Sequence, residues 1–197
     1  MEPAHTPTRL LIRGAHVVTM DETSGDHPDC DILIEDGKIA EVGPGLSRAL
    51  AMAEEIQIIE ASGMIALPGL IDAHNCLWQT ILRGAVPDLW PGTYFTEFLP
   101  LRARFRAEDN CLATQIGAHE AISYGTTTMV DYCHNVRGPD FATKSIEALR
   151  SSGIRHVFTF SFLSERPDDF ADEAARLSHA REVFERFDGM DELTHIH

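Results

Sequence analysis

The chain has 197 residues, 16 Lys and Arg against 31 Asp and Glu for a net charge of −15, and 44% hydrophobic residues. This is the composition of an ordinary folded protein of one or two domains that buries roughly 70% of its surface, and its acidity argues against nucleic acid or an anionic membrane as partner. Cys30, Cys76, Cys111 and Cys133 are scattered without a Cys-x-x-Cys pair, Met1 to His5 lacks the basic and apolar regions of a signal peptide, and no apolar run reaches a membrane span, so reduced thiols and a cytoplasmic setting are expected.

Arg9 to Met20 is rich in Leu, Ile and Val and predicts a strand. Asp31–Glu35 and Lys38–Val42 flank Asp36-Gly37, a hairpin signal because Gly accepts the positive φ of the turn. Gly43-Pro44-Gly45 stops the hairpin, and Ile56–Glu60 predicts a further short strand. Met64–Leu67 is apolar and predicts a buried strand ending in the polar cluster around His74. An irregular stretch follows, with Pro87, Trp90, Pro91, Gly92 and Pro100.

Glu108 to Tyr124 predicts a helix, with Glu108 and Asp109 at the positive end of its dipole and Gly125 at its cap. Thr126–Tyr132 is β-branched and apolar, hence a strand. The pattern then repeats: Ala142, Ile146 and Leu149 form a helical stripe ended by Gly153, and Ile154–Phe162 is the next strand. The interval between Gly125 and Gly153 suits one strand-plus-helix unit of a parallel βα fold. A third helix is predicted over roughly Asp168–Phe187, with Phe170, Ala174, Leu177 and Phe184 on one face, and Leu193–His197 begins a fourth strand.

The densest motif is Pro68-Gly69-Leu70-Ile71-Asp72-Ala73-His74-Asn75-Cys76-Leu77-Trp78-Gln79. Residues two apart on a strand share a face, so His74 and Cys76 point the same way while Asn75 points to the other. A His-x-His there would aim two imidazoles at one metal ion. The segment resembles the first barrel strand of the amidohydrolase superfamily, in its branch of aminohydrolases, deaminases and chlorohydrolases. Both histidines of that family's His-x-His bind the catalytic metal, and this chain departs at the second, Cys76. Asp131-Tyr132-Cys133-His134-Asn135 resembles the Asp-aromatic-x-His-Asn segment of related aminohydrolases.

The resemblance implies an α/β fold: the N-terminal part of a (β/α)8 barrel, about three βα units over residues 63–197, preceded by half of a small β-sandwich subdomain over residues 1–62. In the family the C-terminal end of the chain completes that sandwich. It also implies a divalent metal, zinc foremost, which lowers the pKa of a bound water that attacks an electrophilic carbon. The implied substrates are heterocyclic amines or halides and cyclic amides. The family draws two further histidines and an aspartate from later strands, so this chain reads as one portion of a metal site. A homo-oligomer or a complementing chain is the implied protein partner.

The candidate metal-facing residues are His74 and Cys76, and the candidate substrate-facing residues are Gln79 and His134. Each has a plainer alternative. His74 reads also as a hydrogen-bonded, partly buried histidine, and Cys76 as a small buried hydrophobe rather than a thiolate ligand. Gln79 could tie down the following loop, and His134 could cap local backbone groups. His195-Ile196-His197 has the x-spaced pattern but reads as a chance pair, and His119-Glu120 lacks the second histidine of His-Glu-x-x-His. No phosphate-binding glycine loop or Gly-x-Ser-x-Gly elbow occurs. Three functional readings follow: a portion of an amidohydrolase, a hydrolase completed by a second polypeptide, or a non-catalytic binding module.

Overall fold

The computed structural model describes residues 9–49, 56–86, 88, 90, 92–162 and 170–197. Met1–His5, Pro87, Pro91 and Asp168, which entered the expectations above, lie outside the described residues. The chain divides into two compact units between Pro68 and Gly69.

The first unit is a small sheet. Strands β1 (Arg9–Val18), β2 (Asp26–Glu35) and β3 (Lys38–Gly43) run antiparallel in the order β3-β2-β1. Asp36 and Gly37 both take positive φ, 49° and 76°, the geometry of a type I′ hairpin turn. A one-turn helix, α1 (Leu46–Ala49), follows. Strands β4 (Gln57–Glu60) and β5 (Ile65–Ala66) then pair in parallel with successive stretches of β1. Ala15, Val17, Cys30, Ile32 and Ala61 form the core of this unit.

The apolar run Met64–Leu67 is therefore not the barrel strand. Ile65 and Ala66 pair with His16 and Val17 of β1, and Met64, Ile65 and Leu67 are exposed. The barrel-type strand starts later, as β6 (Leu70–Asn75). Gly69 permits that start, because a Cβ at this position would collide with the Thr127 side chain.

The second unit is a four-stranded parallel sheet in the order β6, β7 (Thr126–Cys133), β8 (Arg155–Phe160) and β9 (Thr194–Ile196). Helices α2 (Ala107–Ser123), α3 (Pro139–Ser152) and α4 (Glu173–Phe187) connect successive strands. This is the repeating βα order of a barrel, unclosed among the described residues. Gly153, at φ 77°, caps α3 in the left-handed conformation. Phe141, Ala142, Ile146 and Leu149 of α3 are buried with Met129, Phe158, Val183 and Phe187 in the main core.

Two segments differ from expectation. The stretch after β6 is largely helical: a 3-10 turn at Leu77–Leu82, a π-turn at Tyr94–Phe98 and a second 3-10 turn at Leu99–Arg104. On α4, Ala174, Leu177 and Phe184 are exposed, while Arg176, Val183 and Phe187 are the buried positions. The helix carries two apolar stripes, and the one packed on the sheet is that of Val183 and Phe187.

Candidate active site

The C-terminal ends of β6 and β7 bring together residues far apart in sequence. β6 is irregular near its end, where the pairing with β7 shifts register between Asp72 and Asn75. Asp72 fixes that irregularity by accepting hydrogen bonds from the His74 backbone N–H (3.1 Å) and from Asn75 Nδ2 (2.7 Å). His74 is exposed and stacks on Tyr132 of β7 with ring centroids 5.0 Å apart. Bulges of this kind re-aim a side chain near a site.

Cys76, just past β6, stands between two imidazoles. Its Sγ is 3.8 Å from His74 Nε2 and 3.6 Å from His134 Nδ1. His134 Nε2 in turn lies 3.3 Å from Gln79 Nε2 and 3.2 Å from Tyr94 Oη, and Gln79 Nε2 donates to that hydroxyl at 2.8 Å. All four sequence-chosen residues thus fall in one connected cluster. His134 is almost wholly buried, with Trp78 edge-on at 5.1 Å. Cys76 and Gln79, with Asn75, Thr80, Arg83 and Phe98, line an open pocket of about 370 Å³.

Three contributors were missed by sequence reasoning. Tyr94 sits in the π-turn, 15 residues from Gln79, and only tertiary folding brings it close. The buried Arg102 donates from Nη1 to the His134 carbonyl at 3.1 Å, holding the loop that carries the imidazole. Asp131 belonged to the segment singled out above but was given no role; its Oδ1 accepts the Leu77 backbone N–H at 3.0 Å and starts the turn that places Gln79. An aspartate closing the β-branched, apolar run Thr126–Val130 was the one signal the sequence offered for it.

Burial governs the electrostatics. It pushes the Asp131 carboxyl up to about 7, against which the Leu77 N–H bond works. Burial, with the Asp131 charge nearby, pushes the Cys76 thiol up to about 11. Burial also lowers His134, so its neutral form prevails at physiological pH.

A catalytic zinc takes three protein ligands and keeps one open position. Among the described residues no group of three or more His, Cys, Asp and Glu could hold a metal ion. The described residues thus form no three-ligand cluster for a catalytic cation. His195 sits 3.8 Å from Asp188 as an exposed pair, away from this cluster in sequence, and His119 is exposed on α2.

No family model matches the chain. It is similar to a 5-methylthioadenosine/S-adenosylhomocysteine deaminase of Desulforamulus reducens, 33% identical over 92% of this chain and 40% of the relative. It is also similar to a 5'-deoxyadenosine deaminase of Methanosarcina mazei, 30% identical over 74% of this chain and 32% of the relative. The chain belongs to the amidohydrolase superfamily.

Solved structures share the fold. An atrazine chlorohydrolase of Arthrobacter aurescens, complexed with zinc and atraton, superposes with a TM-score of 0.79 at 24% identity, over 95% of this chain and 45% of that one. A guanine deaminase of C. acetobutylicum gives 0.78 at 18% identity over 95% and 45%. This amidohydrolase chain thus spans less than half the length of the relatives it matches. Its four parallel strands are a partial barrel, as the motif at His74 implied. No helix among the described residues is long and apolar enough to cross a membrane.

Proposed function

We propose that this chain contributes one wall of an amidohydrolase site that hydrolyses a carbon–nitrogen or carbon–halogen bond in a heterocyclic or cyclic-amide small molecule. The observation that carries the reading is the convergence of His74, Cys76, Gln79 and His134 at the strand ends where barrel enzymes build their sites. In this reading His74 and Cys76 face the position a zinc ion takes when the site is complete. Gln79 supplies an amide to a polar heterocycle, and His134 stands behind both. The remaining ligands come from further βα units, in the same polypeptide or in a complementing one. A cytoplasmic setting belongs to the same reading.

The test is metal content by mass spectrometry of the purified chain, with ammonia release from 5'-deoxyadenosine, methylthioadenosine and guanine. The chain alone is expected to hold substoichiometric zinc and to release no ammonia. Mixing it with a polypeptide carrying the later half-barrel of a deaminase relative is expected to raise both. Turnover by the chain alone would overturn the need for completion, and failure of the mixture would overturn the hydrolase reading. A non-catalytic binding module is the second reading, favoured by Cys76 standing where the family's motif has its second histidine. Binding of a heterocycle without turnover, in the mixture as in the chain alone, is its signature.

A further inference from the structure

The hydrogen-bond directions around His134 can be worked out from which atoms are able to donate. Gln79 Nε2 carries only donors. One of its hydrogens goes to Tyr94 Oη at 2.8 Å and its other faces His134 Nε2 at 3.3 Å. Tyr94 Oη, having accepted that bond, has its own hydrogen free for His134 Nε2 at 3.2 Å. Two donors thus converge on Nε2, which must offer its lone pair. A neutral imidazole has one N–H, so the hydrogen lies on Nδ1, the nitrogen 3.6 Å from Cys76 Sγ.

We propose that Tyr94 is a positioning residue: with Gln79 it fixes His134 as the Nδ1–H tautomer, and His134 then presents a donor to Cys76 Sγ rather than a lone pair to a cation. The consequence is a directed chain from Gln79 through Tyr94 and His134 to the sulfur. It orients Cys76 from behind, and it keeps His134 from serving as a third metal ligand although it stands as close to the sulfur as His74 does. What this means for turnover rests on the reading of Cys76 as facing the reaction site; the tautomer itself does not.

The experiment is a long-range ¹H–¹⁵N correlation spectrum of the ¹⁵N-labelled chain at a pH where His134 is neutral, with the His134 signals assigned from His134→Gln. Wild type is expected to show a single Nδ1–H pattern. Tyr94→Phe removes the hydroxyl donor, and Nδ1–H is expected to give way to a mixture of tautomers. Gln79→Glu replaces the amide donor with an acceptor and is expected to move the hydrogen to Nε2. An Nε2–H pattern in wild type overturns the proposal, as does a tautomer unchanged in both variants. Should Tyr94→Phe fail to fold, wild type and Gln79→Glu decide alone. Added zinc that converts Nδ1 to a metal-bound nitrogen also overturns it. A chain without turnover or metal would give the same wild-type spectrum, so failure of the functional reading is told apart from failure of this one.

Discussion

Asp131 makes the stability of the second unit depend on pH in a direction opposite to most carboxylates. Its side chain is fully buried, Oδ1 accepts the Leu77 N–H, and Oδ2 has no hydrogen-bond partner. Desolvation raises the carboxyl from its ordinary 3.8 to about 7. A raised folded-state pKa means that the folded chain binds the proton more tightly than the unfolded one, so stability falls as pH climbs from about 4 and the penalty is complete above about 7. At 1.36 kcal/mol per pKa unit, the window between pH 5 and pH 8 carries a loss of about 2–3 kcal/mol. Asp131→Asn keeps the acceptor for Leu77 and removes the charge. It places an amide where Oδ2 found no partner, a cost of about 1–3 kcal/mol that does not vary with pH. The assay is urea unfolding of wild type and Asp131→Asn at pH 5, 6, 7 and 8. The difference in unfolding free energy should shift in favour of the variant by about 2–3 kcal/mol across that range, all other titrating groups cancelling. Parallel pH profiles would show that the buried carboxyl is not the source of the dependence.

Other positions give sharp expectations. At Gly117 of α2 a Cβ would stand 2.6 Å from both Leu77 Cδ2 and Thr80 Oγ1; the gain of about 1 kcal/mol from helix propensity is outweighed by overpacking of about 1–3 kcal/mol. Gly117→Ala should therefore lower the melting temperature, and a rise would show that the Leu77–Leu82 turn yields freely. Asp172 Oδ1 accepts the Ala175 N–H at 2.8 Å at the start of α4. Asp172→Ala should cost about 1 kcal/mol in chemical denaturation, whereas an unchanged midpoint would mean that α4 is held by packing alone. Cys76→His restores the second imidazole of the motif, yet it should yield no metal-dependent ammonia release from the chain alone, because a catalytic zinc needs a third ligand. Turnover by that variant would place a further ligand within this chain.

Local chemistry was legible wherever it acted over a few residues. Asp36-Gly37 specified its turn, Gly153 its helix end, and the spacing of His74 and Cys76 a shared face that the 3.8 Å contact realises. What failed were choices between equivalent surfaces. Met64–Leu67 is apolar enough for a strand in either unit, and nothing within the run says that its partner is β1. Along α4, Leu177 and Phe184 repeat at the same period as Arg176, Val183 and Phe187, and the offset of one residue between the stripes is decided by how the helix meets β8 and β9.

The candidate site shows the same division at finer scale. Sequence spacing could pair Cys76 with His74, two residues away, but the nearer imidazole comes from 58 residues downstream. That imidazole is aimed by a tyrosine whose π-turn leaves no periodic trace in the sequence. The candidate site residues His74, Cys76, Gln79 and His134 were therefore visible by type and motif. Those that orient them, Tyr94, Arg102 and Asp131, act through contacts that exist only once the strand ends, the loop and the buried carboxylate are packed together. Substitution at these orienting positions should change the direction of hydrogen bonds at Cys76 while leaving every residue of the recognisable motif in place.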